Sequence, residues 1–242
     1  VGQLYQGDLD LGRVVVESLQ ARDLGSYALV EDLYYGAVAV AQRLEELAPD
    51  RLILVGAEQR GRPPGAVERR RVHPPVPGDP QRAVEQAVVG YVSIDLALSV
   101  ASGLGVLPEA TVAIEVEPAT IEPSERLSRV AQGVLEEVVR LVELEVGRLP
   151  LFMLAGDLEP LAYDQRLDDS PALLALRELL SELHLLDEEA RWGRSLMLRD
   201  RLRFEISLGH TGEGMDHRDW ALWWTLIEEL DRLEKAEVAL YG

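Results

Sequence analysis

Two of the four histidines fall within one short stretch, His210-Thr211-Gly212-Glu213-Gly214-Met215-Asp216-His217. Imidazoles and carboxylates so close together can ligate zinc or nickel, or hold a water for hydrolysis. His210, Glu213, Asp216 and His217 are therefore one candidate metal set. Their spacing matches no metal motif, and a polar loop in which Asp216 caps the next helix explains the same residues. A second concentration is basic: Arg60, Arg62, Arg69, Arg70 and Arg71. It suits a solvated edge strand, or a contact for an acidic partner. Lys235 is the only lysine, so nearly all positive charge is arginine.

Other chemistries are excluded. The chain has no cysteine, hence no disulfide, thiolate metal site or Cys nucleophile. It contains neither a G-x-S-x-G elbow nor a P-loop. Ser102-Gly103-Leu104-Gly105 reads as the end of a helix rather than a dinucleotide fingerprint. A net charge of -19 repels phosphate backbones, against nucleic-acid binding. No apolar run is long enough to span a bilayer and no basic-start signal peptide is present, so the cytoplasm is the expected location. With 242 residues, 47% hydrophobic and 28% charged, the chain can bury a sizeable core.

The elements that must position these residues alternate. Leu11, Val14, Val15 and Leu19 give helical spacing over 8–22, with Asp8 as the expected N-cap. Tyr27 to Val30 is a short apolar run expected to be a strand. Val38, Val40, Ala41, Leu44 and Leu47 predict a helix over 36–48. Arg51 to Gly56 reads as a buried parallel strand, and Ala66 to Val72 as an edge strand. Residues 73–82 carry four prolines and read as a loop. A helix over 91–104, a strand from Thr111 to Val116 and a long helix from Ser128 to Val146 follow. The fold class is therefore α/β: a doubly wound, mostly parallel sheet with flanking helices.

Beyond 150 the rhythm changes to a smaller, mainly helical segment. Ser170-Pro171 is a helix start, and Leu173, Leu176, Leu180, Leu183 and Leu186 share a face. Leu202, Phe204, Ile206 and Leu208 alternate, which suggests a strand. Trp220, Trp223, Trp224, Ile227 and Leu230 share a face of a final helix. That stripe is either core or an interface for a partner through Trp220, Trp223 and Trp224.

Four segments, in order, resemble one family. Val1-Gly2-Gln3-Leu4-Tyr5-Gln6-Gly7-Asp8-Leu9-Asp10-Leu11-Gly12 looks like a G-N-x-L-x-G-D-D/E-x-x-G opening. Asp50 to Ala57 with Pro63-Pro64-Gly65-Ala66-Val67 resembles D-x-L-I-x-x-D-A and P-G-T-V. Ser93-Ile94-Asp95-Leu96-Ala97-Leu98 with Pro108 resembles the helix after H-x-L-G-L. Glu117-Pro118-Ala119-Thr120-Ile121-Glu122-Pro123 with Leu127-Ser128 resembles P-E-S-I-E-P-x-x-x-L-S. These are motifs of the hydrogenase maturation endopeptidases, which trim the C-terminal tail of nickel–iron hydrogenase large subunits.

The resemblance implies a nickel site built from an acid of the opening motif, an Asp ending the strand and a His before the helix. Leu9, Gly56 and Gly90 stand there, and none can ligate a metal through its side chain. Asp8 and Asp10 flank the first position, Glu58 follows the second and Tyr91 the third. A repositioned site from Asp10, Glu58 and His73 is the alternative at this cleft. Asp32-Leu33-Tyr34-Tyr35-Gly36 keeps only the last glycine of the family's G-G-T-x-G turn, which would reshape the cleft around Tyr34. The expectation is a non-catalytic relative, without cofactor, that acts as an assembly factor, scaffold or complex subunit. A protein partner is expected, with a hydrogenase subunit as one candidate. The competing expectation is a metal-dependent endopeptidase or hydrolase with nickel or zinc relocated to His210–His217.

The family's first strand has no counterpart ahead of Val1, but Lys235-Ala236-Glu237-Val238-Ala239-Leu240-Tyr241-Gly242 resembles it. The expected domains are thus 1–150 together with 236–242, the latter as a central strand in a circularly permuted order, and 151–235.

Overall fold

Arg51-Leu52-Ile53-Leu54-Val55-Gly56-Ala57 holds four consecutive large aliphatic residues, too few for a helix to bury and suited to a strand covered on both faces. In the computed structural model they form β1 (Arg51–Ala57). The structure describes residues 5–33, 36–76, 93–164, 170–189, 193–211 and 217–241. β2 (Val67–Val72) and β3 (Ala110–Val116) complete a three-stranded sheet of order β1-β3-β2 among these residues. β1 runs parallel to β3, and β2 antiparallel to it. The sheet is thus mixed and small, where a mostly parallel, doubly wound one was expected. β2 lies at an edge, as its run of arginines requires.

The chain divides into two compact units, Val1–Glu143 and Leu144–Gly242. In the first, a short 3-10 turn (Gly7–Asp10) leads into α1 (Leu11–Gln20), and α2 (Ala37–Leu47) and α3 (Ile94–Gly103) precede β1 and β3 respectively. Alternation along the strands places Leu54 and Ala113 on one sheet face. There they join Val40, Ala41 and Leu44 of α2 and Ile94, Ala97, Leu98 and Ala101 of α3 in one apolar cluster. Fully burying each large aliphatic chain contributes roughly 1.5–3 kcal/mol. α3 starts at Ser93, whose Oγ accepts from Leu96 N at 3.1 Å. It ends in a glycine-bearing turn, where Gly105 has φ of 71°, so Ser102 to Gly105 is a C-cap as read.

Tyr27 to Val30 is irregular, not a strand. Asp8 does not cap α1. Asp10 occupies that position, and its side chain makes no capping bond. α4 (Arg129–Ala162) is far longer than the pattern to Val146 suggested, and continues past Pro150.

The second unit is helical: the end of α4, then α5 (Pro171–Glu189), α6 (Gly193–Ser207) and α7 (His217–Tyr241). Ser170 Oγ caps α5 by accepting from Leu173 N at 3.2 Å. Leu173, Leu176, Leu180 and Leu183 are buried, as their spacing predicted. Leu202 to Leu208 is not a strand. Leu202 and Ile206 form the buried side of α6, while Phe204 and Leu208 face outward. Residues 236–241 are the last turns of α7, so the expected C-terminal strand is absent among the described residues. They lie in the second unit, and the division falls at 143/144 rather than after 150. No helix among the described residues is long and apolar enough to cross a membrane.

Candidate functional site at the carboxyl edge of the sheet

Ligands of α/β sheets usually bind beyond the carboxyl ends of the parallel strands. Here that edge carries an unusual residue, Glu115, fully buried near the end of β3, whose other residues are apolar except Thr111. The register aligns Gly56, Glu115 and Glu68 in one row across the sheet. A carboxylate so deep in the fold must be paired. Three guanidiniums do this. Arg60 donates through Nε to Oε2 at 2.9 Å and through Nη2 to Oε1 at 2.8 Å. Arg62 Nη2 reaches Oε2 at 2.7 Å, and Arg70 Nε reaches Oε1 at 2.8 Å.

The same cations also hold Asp95, in the first turn of α3. Arg60 grips it with Nη1 and Nη2 at 2.7 and 2.8 Å, and Arg70 Nη2 approaches at 3.2 Å. Glu117 fixes the intervening loop from below by accepting the backbone N–H groups of Arg60 (2.8 Å) and Gly61 (3.2 Å). Burial pushes the Glu115 carboxyl up, but hydrogen bonds and charge from Arg60, Arg70 and Arg62 outweigh it and hold the group at about 2. Hydrogen bonding to Arg60 likewise lowers Asp95.

The opening loop uses its acids differently. Asp8 is fully buried. Its Oδ2 accepts from Ala119 N (2.9 Å), Thr120 N (3.3 Å) and Ser128 Oγ (2.9 Å), and its Oδ1 from Ser128 N (2.7 Å). Ser128 Oγ in turn caps α4 by accepting from Ala131 N at 3.1 Å. Gly7 makes the approach feasible. At φ of 56° it sits where a Cβ would come 2.8 Å from the Glu122 carbonyl oxygen. The G-D and P-A-T-I-E-P motifs therefore meet in space, with Asp8 as the junction. Asp10 is taken by Arg13, whose Nε lies 2.8 Å from Oδ1 and 3.0 Å from Oδ2. Arg13 also reaches Glu17. Burial raises the nearby Asp32 carboxyl.

The remaining expected site residues are placed as follows. Glu58 is buried just past β1, and its N–H donates to the Val116 carbonyl at 3.0 Å. Among the described residues no three His, Asp or Glu side chains gather as a metal site would need, so Asp10, Glu58 and His73 are not brought together. Leu9 offers no donor atom and Gly56 no side chain, so the residues present do not fit the nickel site that the resemblance implies. Tyr34, Gly90, Tyr91, Glu213, Asp216, Val1 and Gly242 lie outside the described residues, as does the His217 side chain. His210 pairs through Nδ1 with Glu205 Oε2 at 2.8 Å. Of the tryptophans, Trp223 is fully buried, Trp220 half-buried and Trp224 43% exposed, so the three do not form a single exposed stripe.

The arginine run was legible, but its partners were not. A lone Glu in the Ala110–Val116 strand was the available signal, because a buried carboxylate requires cations and Arg60 to Arg71 supply them. The reading of that run as a solvated edge strand is corrected for Arg60, Arg62 and Arg70, which clamp Glu115.

No protein-family model matches the sequence, and no curated protein does. Solved structures do. The hydrogenase 2 maturation peptidase from Thaumarchaeota archaeon SCGC_AB-539-E09 is 23% identical, covering 60% of this chain and 93% of its own, with a TM-score of 0.43. The hydrogenase maturating endopeptidase HybD from E. coli is 23% identical over 58% of this chain and 85% of its own, at 0.44. An endopeptidase from Escherichia coli is 25% identical over 61% and 88%, at 0.45. The chain is similar to these solved structures over 58–61% of its length.

Proposed function

We propose that this chain is a non-catalytic relative of the hydrogenase maturation endopeptidases that binds a protein partner, as an assembly factor, scaffold or complex subunit in the cytoplasm. One observation carries the reading. Leu9 and Gly56 stand where the resemblance calls for metal ligands, and the carboxyl edge beside Gly56 is held by the guanidiniums of Arg60, Arg62 and Arg70. A divalent cation entering there would have to displace Arg60, Arg62 and Arg70 from the Glu115 carboxylate that they hold. The framework residues, Gly7, Asp8, Gly65 and Ser128, are kept and engaged.

A hydrogenase large subunit that still carries its tail is the first partner to test. Size-exclusion chromatography of the mixture should show a complex, and mass spectrometry should find the tail intact. Release of the tail by this chain would overturn the reading, and the lack of a complex would remove the hydrogenase as partner.

The second reading, a hydrolase with its metal at His210–His217, has one supporting contact. The His210–Glu205 pair fixes an imidazole as metal-ligating histidines are fixed by carboxylates. It requires that His210→Ala and His217→Ala each abolish zinc or nickel uptake while the fold survives. Metal uptake unchanged by either substitution would dismiss it.

A further inference from the structure

α6 is apolar on two sides. Leu198, Leu202 and Ile206 are buried within the second unit. Met197 and Phe204 lie on another side, 73% and 58% exposed. Leu208, whose N–H donates to the Phe204 carbonyl at 3.1 Å, prolongs that side and is 52% exposed. α5 repeats the arrangement: Leu173, Leu176, Leu180 and Leu183 are buried, whereas Leu174 and Leu185 are exposed. A helix that is apolar all round is normally covered on both sides, and these two are covered on one.

The exposed residues form a single face. Positions 174, 178 and 185 share one stripe of α5, and 197, 201, 204 and 208 one stripe of α6, by the helical repeat. Contacts of Ala172 with His210, Glu178 with Arg201 and Glu182 with Arg194 show that the two helices run antiparallel. The Arg201 Nη1–Glu178 Oε2 pair, at 2.8 Å, joins the stripes at their middle. Apolar side chains that gather in this way, unlike scattered ones, mark interaction surfaces.

Charge selects the occupant. Glu178 with Arg201, and Glu182 with Arg194, balance within the face, and Asp200 at its rim is held by the buried Arg199 at 2.8 Å. The chain as a whole carries -19. Two copies of so acidic a chain approach most readily where local charge cancels. A two-fold contact must also match itself, and a face of paired Glu and Arg does, since Arg201 of one copy can take Glu178 of the other. A strongly acidic or basic partner would find no net charge here to read.

We propose that the outer face of the α5–α6 hairpin is a homodimer interface, on which the same hairpin of a second copy of this chain packs to make a four-helix arrangement. Leu174, Phe204 and Leu208 supply its apolar contact, and the Glu178–Arg201 pairs its registration. The inference concerns the second unit alone and does not rest on the reading above.

The test is sedimentation velocity of the full chain from about 1 to about 100 μM. The mass should rise from 26.8 kDa to twice that value and stop there. Added salt should tighten association, because it screens the repulsion between two chains of -19. Phe204→Glu should weaken it about a hundredfold, and Leu208→Asp should do the same if Phe204→Glu fails to fold. Arg201→Glu should weaken it, and addition of Glu178→Arg should restore it. Val38→Glu, an equally exposed position in the first unit, should change nothing. A monomer at every concentration overturns the second copy as occupant and leaves the face to another protein. Species that grow beyond the dimer, association that salt weakens, or a dimer that Phe204→Glu and Leu208→Asp leave intact also overturn the proposal. So does equal weakening by Val38→Glu.

Discussion

Asp8 and Glu115 are both fully buried carboxylates, yet they are satisfied in opposite ways. Asp8 accepts from backbone N–H groups and one hydroxyl, all neutral, and joins the opening loop to the start of α4. Glu115 accepts only from guanidiniums, and joins the β1–β2 loop and β2 to β3. The first arrangement organises backbone and belongs to a scaffold. The second neutralises charge at the edge where α/β proteins bind ligands. Buried acids in one unit are thus held by backbone donors in one place and by arginine cations in another.

The comparison can be broken most forcefully at Glu115. Glu115→Gln leaves three guanidiniums without their shared anion and should cost about 3–5 kcal/mol in urea unfolding. A cost below about 1 kcal/mol would mean that the arginines rehydrate freely and that the network is not a clamp.

The pH dependence of the same residue sharpens the point. Its folded pKa, about 2, lies below the ordinary 4.5. The folded state therefore favours the ionised form, and the stabilisation is fully present above about 4.5. It is lost as pH falls from there towards about 2. The stability gap between wild type and Glu115→Gln should stay flat from pH 8 to pH 5 and then close on acidification. A gap that widens in acid would contradict the assignment.

Asp8→Ala should have a smaller effect, about 2–3 kcal/mol, because the donors it abandons are neutral. It should also loosen the start of α4, read as faster amide exchange at Ala131. Gly7→Ala comes last, at about 1–2 kcal/mol, from a positive φ and the close Glu122 carbonyl. Thermal unfolding would check it, and an unchanged midpoint would show that the loop can shift to admit a methyl group.

Much of the first unit was legible because its elements carry strong local signals. Pro49-Asp50 immediately precedes β1, and Ser93 and Gly105 bracket α3. The errors came where two periods agree over a short window. Leu202, Phe204, Ile206 and Leu208 alternate, but residues two apart in that series are also four apart in pairs. Leu202 and Ile206 therefore line the buried face of α6, while Phe204, and Leu208 just past the helix end, are exposed. Local spacing cannot choose between those periods. Packing against the rest of the helical unit does.

The site was half legible for a related reason. Motif order located Asp8, Asp10 and Gly56, and the arginine run stood out by composition. Which acids the arginines meet is a long-range fact, since Arg60 finds Asp95 and Glu115 on two other elements. Asp8 was expected as a helix cap because an acid before an apolar periodic run usually is one. Tertiary donors from Ala119 and Ser128 claimed it instead.

The most direct test of the central claim is a nickel titration of the purified full chain by calorimetry at neutral pH. No saturable binding tighter than about 1 mM is expected, which corresponds to about 4 kcal/mol of binding energy. Stoichiometric micromolar binding, abolished by Asp10→Ala, would contradict the proposed non-catalytic role.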